Sequence, residues 1–294
     1  MRISVFITSY NQRDLLKEAV DSVLAQTRPA SQIVIVDDAS GDGSQELIQT
    51  YASSHPGVIT PVLREQNGGV AQARIDALRA ITGDHVTYVD GDDRFLPHKL
   101  EAEAAALEAA PAAGIAFSNN RYMSEDWSEE LYTWIDGEPV PQGDVFFETF
   151  TRKFPRRSLF RMELVRYAAW REIGFHDPTL RIYEDFDMRI RLTKKLRAVY
   201  ADTVTSEIRT HGAGLSKSPD LTHLACLRHL AANNAHLLDD LTADRRREAQ
   251  IELKVWIARI AARGSLAALR KGAVIDASSL AAGAARIACG RLRQ

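Results

Sequence analysis

Tyr88-Val89-Asp90-Gly91-Asp92-Asp93 is an apolar run that stops in three carboxylates within four residues. The run up to Val89 has the composition of a buried strand, whereas the acids crowd a turn where repulsion has to be offset by solvent or a cation. Two earlier runs end in the same manner. Ile3-Ser4-Val5-Phe6-Ile7 leads into Thr8-Ser9-Tyr10-Asn11, and Gln32-Ile33-Val34-Ile35-Val36 leads into Asp37-Asp38-Ala39-Ser40-Gly41-Asp42-Gly43. In open parallel sheets, ligands bind outside the carboxyl ends of strands, so three polar strand ends point to one site.

Strands are predicted at 3–8, 32–36, 58–63, 85–89 and 114–117. Between them Leu15, Leu16, Ala19, Val20, Val23 and Leu24 recur at helical spacing, as do Ala73, Ile75, Ala77, Leu78 and Ile81. This alternation predicts an α/β protein, a Rossmann-like and mostly parallel sheet flanked by helices. A helix is expected around 97–109. Residues 121–155, rich in aromatics, Pro and Gly, are expected to form loops and short strands facing an acceptor. Further helices are predicted at 162–172, stopped by Gly174, and at 185–195, with strand-like segments at 198–200 and 203–208. From about Leu221 the chain reads as helical and Ala-rich. The expected organisation is a catalytic domain over 1–220, divided at 118/119 into nucleotide-binding and acceptor-binding parts, and a helical extension over 221–294.

Lys and Arg total 37 against 39 Asp and Glu, which excludes a general electrostatic pull toward nucleic acid. Cys226 and Cys289 lie far apart, so neither a disulfide framework nor a thiolate zinc site is indicated. The chain enters a strand at once, without a secretory signal, and no run approaches the roughly 20 apolar residues that span a bilayer. A cytoplasmic location is expected. Beyond Leu241, Arg245, Arg246, Arg247, Lys254, Arg259, Arg263, Arg270, Lys271, Arg286, Arg291 and Arg293 outnumber the acids. Ile251, Leu253, Val255, Trp256, Ile257, Ile260, Leu266 and Leu269 could form an apolar face, packing on the catalytic domain, in a dimer, or on the inner face of an anionic membrane.

Mg²⁺ or Mn²⁺ suits the acidic turn, because both favour carboxylate oxygens together with water and substrate phosphates. Some acids have a plainer reading: Ser40 and Asp42 can cap a helix, and Asp93 can cap the turn into the helix at 97–109. Arg74 can pair with Asp76 or Glu65 on the surface. Asp185 can pair with Arg189 one turn on, and acids are in any case favoured at a helix N-terminus.

The ordered set Val5-Phe6-Ile7-Thr8-Ser9-Tyr10-Asn11, Ile35-Val36-Asp37-Asp38-Ala39-Ser40, Asn67-Gly68-Gly69 with Ala73-Arg74, Tyr88 to Asp93, Gly174-Phe175-His176-Asp177, and Glu184-Asp185 leading to Arg191-Leu192 resembles the family-2 glycosyltransferases of the GT-A fold. The likeness extends from Met1 to about Ser216. It implies an inverting enzyme that moves a sugar from a nucleotide diphosphate, such as UDP, to a hydroxyl of a glycan or lipid-linked glycan, as in polysaccharide synthesis. Thr8, Tyr10 and Asp38 would hold the base, and Arg74 would lie near the base or diphosphate. The chemistry agrees: a ring for stacking, an acceptor for an imide N–H, and a fixed positive charge for phosphate. Asp92 would bind the metal directly, with Asp90 nearer the ribose or a metal-bound water. The resemblance assigns the base to Asp185, with Glu184 able to exchange roles, and gives His211 a contact with metal or diphosphate.

Two enzyme rivals lack their signatures. A sugar nucleotidyltransferase needs a Gly-rich loop after the first strand, and a dinucleotide oxidoreductase needs G-x-G-x-x-G. A non-catalytic nucleotide-sugar binding protein would be favoured by loss of the acids, all of which are present.

Overall fold

A computed structural model describes residues 1–212 and 218–270, with side chains through 264. β1 (Ile3–Ser9), α1 (Arg13–Leu24), β2 (Gln32–Asp37), α2 (Ser44–Ser54), β3 (Ile59–Leu63), α3 (Val70–Arg79) and β4 (His85–Asp90) alternate as the periodicity predicts. Every residue of β1 and β2 is buried, as a parallel sheet covered on both faces demands. The register creates the site. Thr8 lies beside Val36 of β2 and Asp90 of β4, and Ser9 lies beside Asp37, so the three polar ends finish level.

The chain continues through β5 (Arg94–Phe95), α4 (Lys99–Ala109), β6 (Ala113–Met123), β7 (Glu130–Thr133), α5 (Phe146–Thr151), β8 (Leu164–Arg166), α6 (Tyr167–Ile173), α7 (Glu184–Lys195) and β9 (Arg197–Arg209). Sheet order is β3-β2-β1-β4-β8-β6-β9-β5, with β7 added to β6. β3, β2, β1 and β4 are parallel; β8 runs antiparallel between β4 and β6, whose own neighbour β9 is parallel to it. The sheet is therefore mixed.

Two local expectations are corrected. The helix expected over 162–172 begins only at Tyr167, because Leu164 and Val165, both fully buried, fill the gap between β4 and β6 as a short strand. Met162 precedes it with φ 54°, and its carbonyl accepts hydrogen bonds from Thr87 Oγ1 and Lys99 Nζ, each at 2.7 Å. Tertiary partners override the helical period there. Strand 114–117 is the start of a longer strand, and 198–208 is one strand with register shifts against it. Asn119 is accommodated inside β6 because its side-chain amide closes two 2.9 Å hydrogen bonds with the Ile135 backbone.

α8 (Asp220–Asn234) and α9 (Ala243–Arg270) pack on this body. Leu227 and Ile257 are fully buried and join the same core as the sheet. Leu253, Trp256, Ile257 and Ile260 face that core, whereas Ile251 and Val255 are exposed. Arg157–Glu252 at 3.0 Å and Arg263–Asp220 at 2.5 Å bind the helix further. The side chains of Leu266, Leu269 and Arg270, and the cationic residues from Lys271 onward, lie outside the described residues. Among the described residues, no helix is long and apolar enough to cross a membrane.

Candidate active site

The loops after β1 and β2 brace one another. Asn11, at φ 50°, donates its backbone N–H to Ser40 Oγ, while its Oδ1 accepts from the Gly41 N–H. Asp42 accepts from the backbone N–H groups of Arg13 and Ser44. Ser40 and Asp42 thus serve the loop geometry. Tyr10 projects from this rim, 48% exposed, with its ring free for stacking. Thr8 is buried, and its carbonyl accepts from the Gly91 N–H. A Cβ at Gly91 would stand 2.8 Å from that oxygen, so only glycine allows the two strand ends to close.

Asp38, also buried, accepts from the backbone N–H groups of Gly68 and Gly69 at 2.9 and 2.8 Å and from Arg64 Nη1 at 2.6 Å. It therefore moulds the turn entering α3, where Gly69 sits at φ 83°. A carboxylate has about four acceptor positions, and three are used here, so capacity for one further donor remains.

Arg74 does not lie on the surface. It is buried, stacks over the Tyr88 ring at 4.8 Å, donates from Nη2 to Asp90 Oδ1 at 2.7 Å, and holds Nη1 3.1 Å from Glu184 Oε1. The expected partner Asp76 is instead taken by Arg64 and Arg79. Burial opposes the charge on Arg74, yet Asp90 and Glu184 outweigh it and raise its pKa. Asp90 also faces Arg161, at 3.6 Å. With two arginines on it, Asp90 is placed to balance cations as much as to bind one.

Asp92 Oδ2 lies 2.8 Å from His211 Nε2, bringing the ends of β4 and β9 together. Among the described residues no cluster of three or more His, Cys, Asp and Glu is arranged around a metal position. Two protein ligands nevertheless suit Mg²⁺ or Mn²⁺, which commonly complete their shells with water and substrate phosphate, and Mn²⁺ accepts imidazole. Asp93 neither caps a helix nor joins this pair. It is buried and accepts the Arg209 N–H at 2.8 Å, and burial reinforced by Asp92 pushes its carboxyl well up.

α7 opens with Glu184 and Asp185 immediately after Tyr183, whose backbone is left-handed at φ 68°. The Tyr183 hydroxyl is 2.7 Å from His223 Nδ1. Asp185 Oδ2 accepts from Arg189 Nη1 at 2.6 Å, and Arg189 in turn reaches Glu163 at 3.1 Å and the Tyr88 hydroxyl at 2.5 Å. Burial opposes ionisation of Asp185, but Arg189 and then Arg74 prevail and hold it well below the usual carboxylate range. Glu184 goes the other way: burial, with Asp185 adding, raises it to about 7 against the pull of Arg74. The Asp185 side chain is 31% exposed and that of Glu184 only 6%, so Asp185 is the more open of the two. The segment before α7 is pinned by Arg191, which donates to the carbonyls of Ile173, Gly174 and Phe175. His176 is buried against Trp170 and kept neutral by burial and by Arg74.

Arg161, Glu163 and Arg189 complete the network; the Arg189–Asp185 pair is the one that helical spacing offered, whereas Arg161 and Glu163 are not among the residues expected from the sequence. The available signal was charge balance: three acids on one turn and two on another need buried cations.

Residues 4–172, more than half of the chain, match the family model described as Glycosyl transferase family 2. The chain belongs to this family. A putative teichuronic acid biosynthesis glycosyltransferase of Bacillus subtilis is 37% identical over 126 residues, covering 42% of this chain and 48% of that protein. The first curated relatives are thus matched over about half of their length or less. An uncharacterized glycosyltransferase of the same organism, YwdF, is 26% identical over 87% of this chain and 96% of its own. The fold is shared with Staphylococcus aureus TarS in complex with UDP-GlcNAc, at TM-score 0.61 and 16% identity, over 95% of this chain and 90% of that one. It is shared also with a Pyrobaculum calidifontis mannosyltransferase in complex with GDP-Man and Mn²⁺, at TM-score 0.60 and 21% identity, over 99% and 82%. The expected GT-A type of α/β fold with a C-terminal helical part is therefore present in this family-2 member.

Proposed function

We propose that this family-2 glycosyltransferase moves a sugar, with inversion, from a nucleotide diphosphate to a hydroxyl of a glycan or lipid-linked glycan, in the synthesis of a cell-surface polysaccharide. The observation that carries the reading is Arg74, whose guanidinium joins Asp90 of the β4 end to Glu184 beside Asp185. Donor-side and acceptor-side carboxylates are two arms of one buried network. The donor class is supported by the nucleotide and nucleotide-sugar complexes of structurally similar proteins, and the acceptor class by the teichuronic acid pathway named for the Bacillus relative.

Tyr10 stacks on the base, and Asp38 offers its remaining acceptor capacity to an imide N–H beside Thr8. Asp90 lies toward the ribose, and Arg74 toward the diphosphate. Asp92 and His211 would hold Mn²⁺ or Mg²⁺, which when bound neutralises charge on the diphosphate. Asp185, ionised and exposed, accepts the proton of the attacking hydroxyl as the new bond forms. Arg189 fixes its position, and Glu184 stays buried on Arg74. The exposed side of α9, with Ile251 and Val255, would be the face available to an anionic membrane or a second copy.

The test is a donor panel read by thermal shift with Mn²⁺ present, because a specific donor stabilises the native state by mass action. A midpoint raised by one nucleotide sugar, followed by its transfer to a glycan acceptor, supports the function. No response to any nucleotide sugar refutes it.

A further inference from the structure

A second concavity lies near the start of α7, with Arg152 in its wall within electrostatic reach of Asp185. It is a cavity of about 50 Å³ between residues 150–157 and α9, lined by Thr151, Arg152, Arg157, Glu252, Trp256 and Arg259 among others. That is room for roughly three to five water-sized groups, the scale of one tetrahedral oxyanion. Three arginines face one carboxylate. Arg157 is paired with Glu252 at 3.0 Å, whereas Arg152 and Arg259 have no carboxylate within salt-bridge distance among the described residues.

Arg152 is the informative one. It ends α5 in a left-handed conformation at φ 56°, and Arg156 and Arg157 follow at φ 53° and 51°. Non-glycine residues held there store strain, and three within six residues turn their side chains out of the course that a continuing helix would give. The Arg152 guanidinium is half-buried and lies 4.2 Å over the Trp256 ring, a π face that partly offsets its charge without using its N–H fork. A half-buried guanidinium with an open fork is suited to a bidentate oxyanion. Trp256 also meets Tyr183 at 5.4 Å and Phe186 at 5.5 Å, and these residues flank the Glu184-Asp185 pair. The cavity therefore abuts the catalytic end of α7.

We propose that this cavity is a subsite for a phosphate group carried by the acceptor, bound by Arg152 and Arg259 and bordered by Trp256. The assignment rests on the glycosyltransferase reading for the word acceptor, and on the cavity itself for the phosphate. It makes the enzyme selective for phosphate-bearing acceptors and fixes their orientation, since the anion would be anchored beside Trp256, which packs on Tyr183 and Phe186 at either side of the Glu184-Asp185 pair.

The test uses the full chain in chelator, with inorganic phosphate and glycerol 3-phosphate as probes at constant ionic strength. Calorimetry should detect binding that weakens about tenfold or more in Arg152→Gln and in Arg259→Gln, and that Asp92→Ala leaves intact. If Arg152→Gln fails to fold, Arg152→Lys and Arg259→Gln carry the same test. Equal binding in all arginine variants, or binding lost only in Asp92→Ala, overturns the proposal by sending phosphate to the donor site. Vesicles of phosphatidylglycerol in phosphatidylcholine, against phosphatidylcholine alone, form the second arm. Arginine-dependent binding to the anionic vesicles without binding of either soluble phosphate would give the cavity to a lipid headgroup and overturn the acceptor assignment. Donor binding with Mn²⁺ is measured on the same variants. Its absence in the wild type would refute the transferase function while leaving the phosphate result standing.

Discussion

His211 Nε2 lies 2.8 Å from Asp92 Oδ2, so the ends of two strands 119 residues apart in the chain meet at one pair. A His–Asp hydrogen bond of this kind can serve a fold or await a cation. If Asp92 and His211 bind Mn²⁺ or Mg²⁺ with a diphosphate, Asp92→Ala removes most metal-dependent donor binding and His211→Ala weakens it, while excess chelator abolishes transfer in the wild type. Calorimetry with and without metal checks this. Full turnover in chelator would reject the metal role.

Arg74 is 4% exposed and stands between Asp90 and Glu184. Removing one partner from a buried ionic network leaves uncompensated charge, which costs about 3–5 kcal/mol. Arg74→Ala is therefore expected to lose stability of that order at neutral pH, and to lose more above pH 7, where Glu184, released from the pull of Arg74, keeps its proton while the unfolded chain has given it up. Urea denaturation at two pH values distinguishes this from a residue that serves only the diphosphate, whose loss would leave stability unchanged.

Glu184 yields a pH signature of its own. Its folded pKa of about 7 stands above the ordinary 4.5, so the unfolded chain releases this proton first as pH rises. The stability associated with the protonated form is present below the ordinary value and is lost as pH climbs through the folded one. Glu184→Gln stays neutral throughout. Its stability relative to wild type should accordingly rise between about pH 4.5 and 7 and level off above, in melts compared at matched pH. Parallel curves would show that Glu184 is not raised.

The parallel half of the fold was legible because each strand combined an apolar run with a polar end, and parallel register then sets those ends level. Glu184 and Asp185 were legible as the start of a helix. Arg189 was legible as the partner of Asp185 one turn on, but the residues beyond it in the network were not. Arg161 lies in an aperiodic stretch, and Glu163 precedes a three-residue strand whose period matches helix as well as sheet. Their partners come from distant β4 and α7, so no local spacing connects them. Arg74 was read as a cation near the ligand; its burial between Asp90 and Glu184 depends on the start of α7 reaching the β4 end, which sequence spacing does not contain.

The C-terminal helix separates packing from surface chemistry. Ile257 is fully buried in the common core, whereas Ile251 is 49% exposed on the same helix. Ile257→Ala should cost about 2–5 kcal/mol, and Ile251→Ala should lie within ±0.5 kcal/mol. A chain cut after Leu241 is expected to be insoluble or unfolded because it exposes this core, so membrane association is better tested with Ile251→Ser and Val255→Ser on liposomes. A well-folded truncated chain would show that α9 is not part of the core.

Asp185 carries the last prediction. Its carboxylate is held by Arg189 at 2.6 Å and by the Phe186 N–H at 2.8 Å, which keeps it ionised and oriented while leaving it partly exposed. A base held so low does not remove an alcohol proton before attack; it receives the proton late, as the oxygen bonds to the anomeric carbon and its acidity rises. Asp185→Asn preserves shape and a hydrogen bond to Phe186 but cannot accept that proton, and loss of a positioned base typically costs ~10²–10⁴ in rate. Arg189 keeps Glu163 and Tyr88 as partners, so the variant should remain folded. Donor affinity should change little, because the groups assigned to base, ribose and metal stand on the β1, β2, β4 and β9 ends. Calorimetric donor binding and product formation on the same variant decide the matter. Near-normal transfer would move the role to Glu184, and loss of donor binding together with the fold would make Asp185 a structural anchor for Arg189.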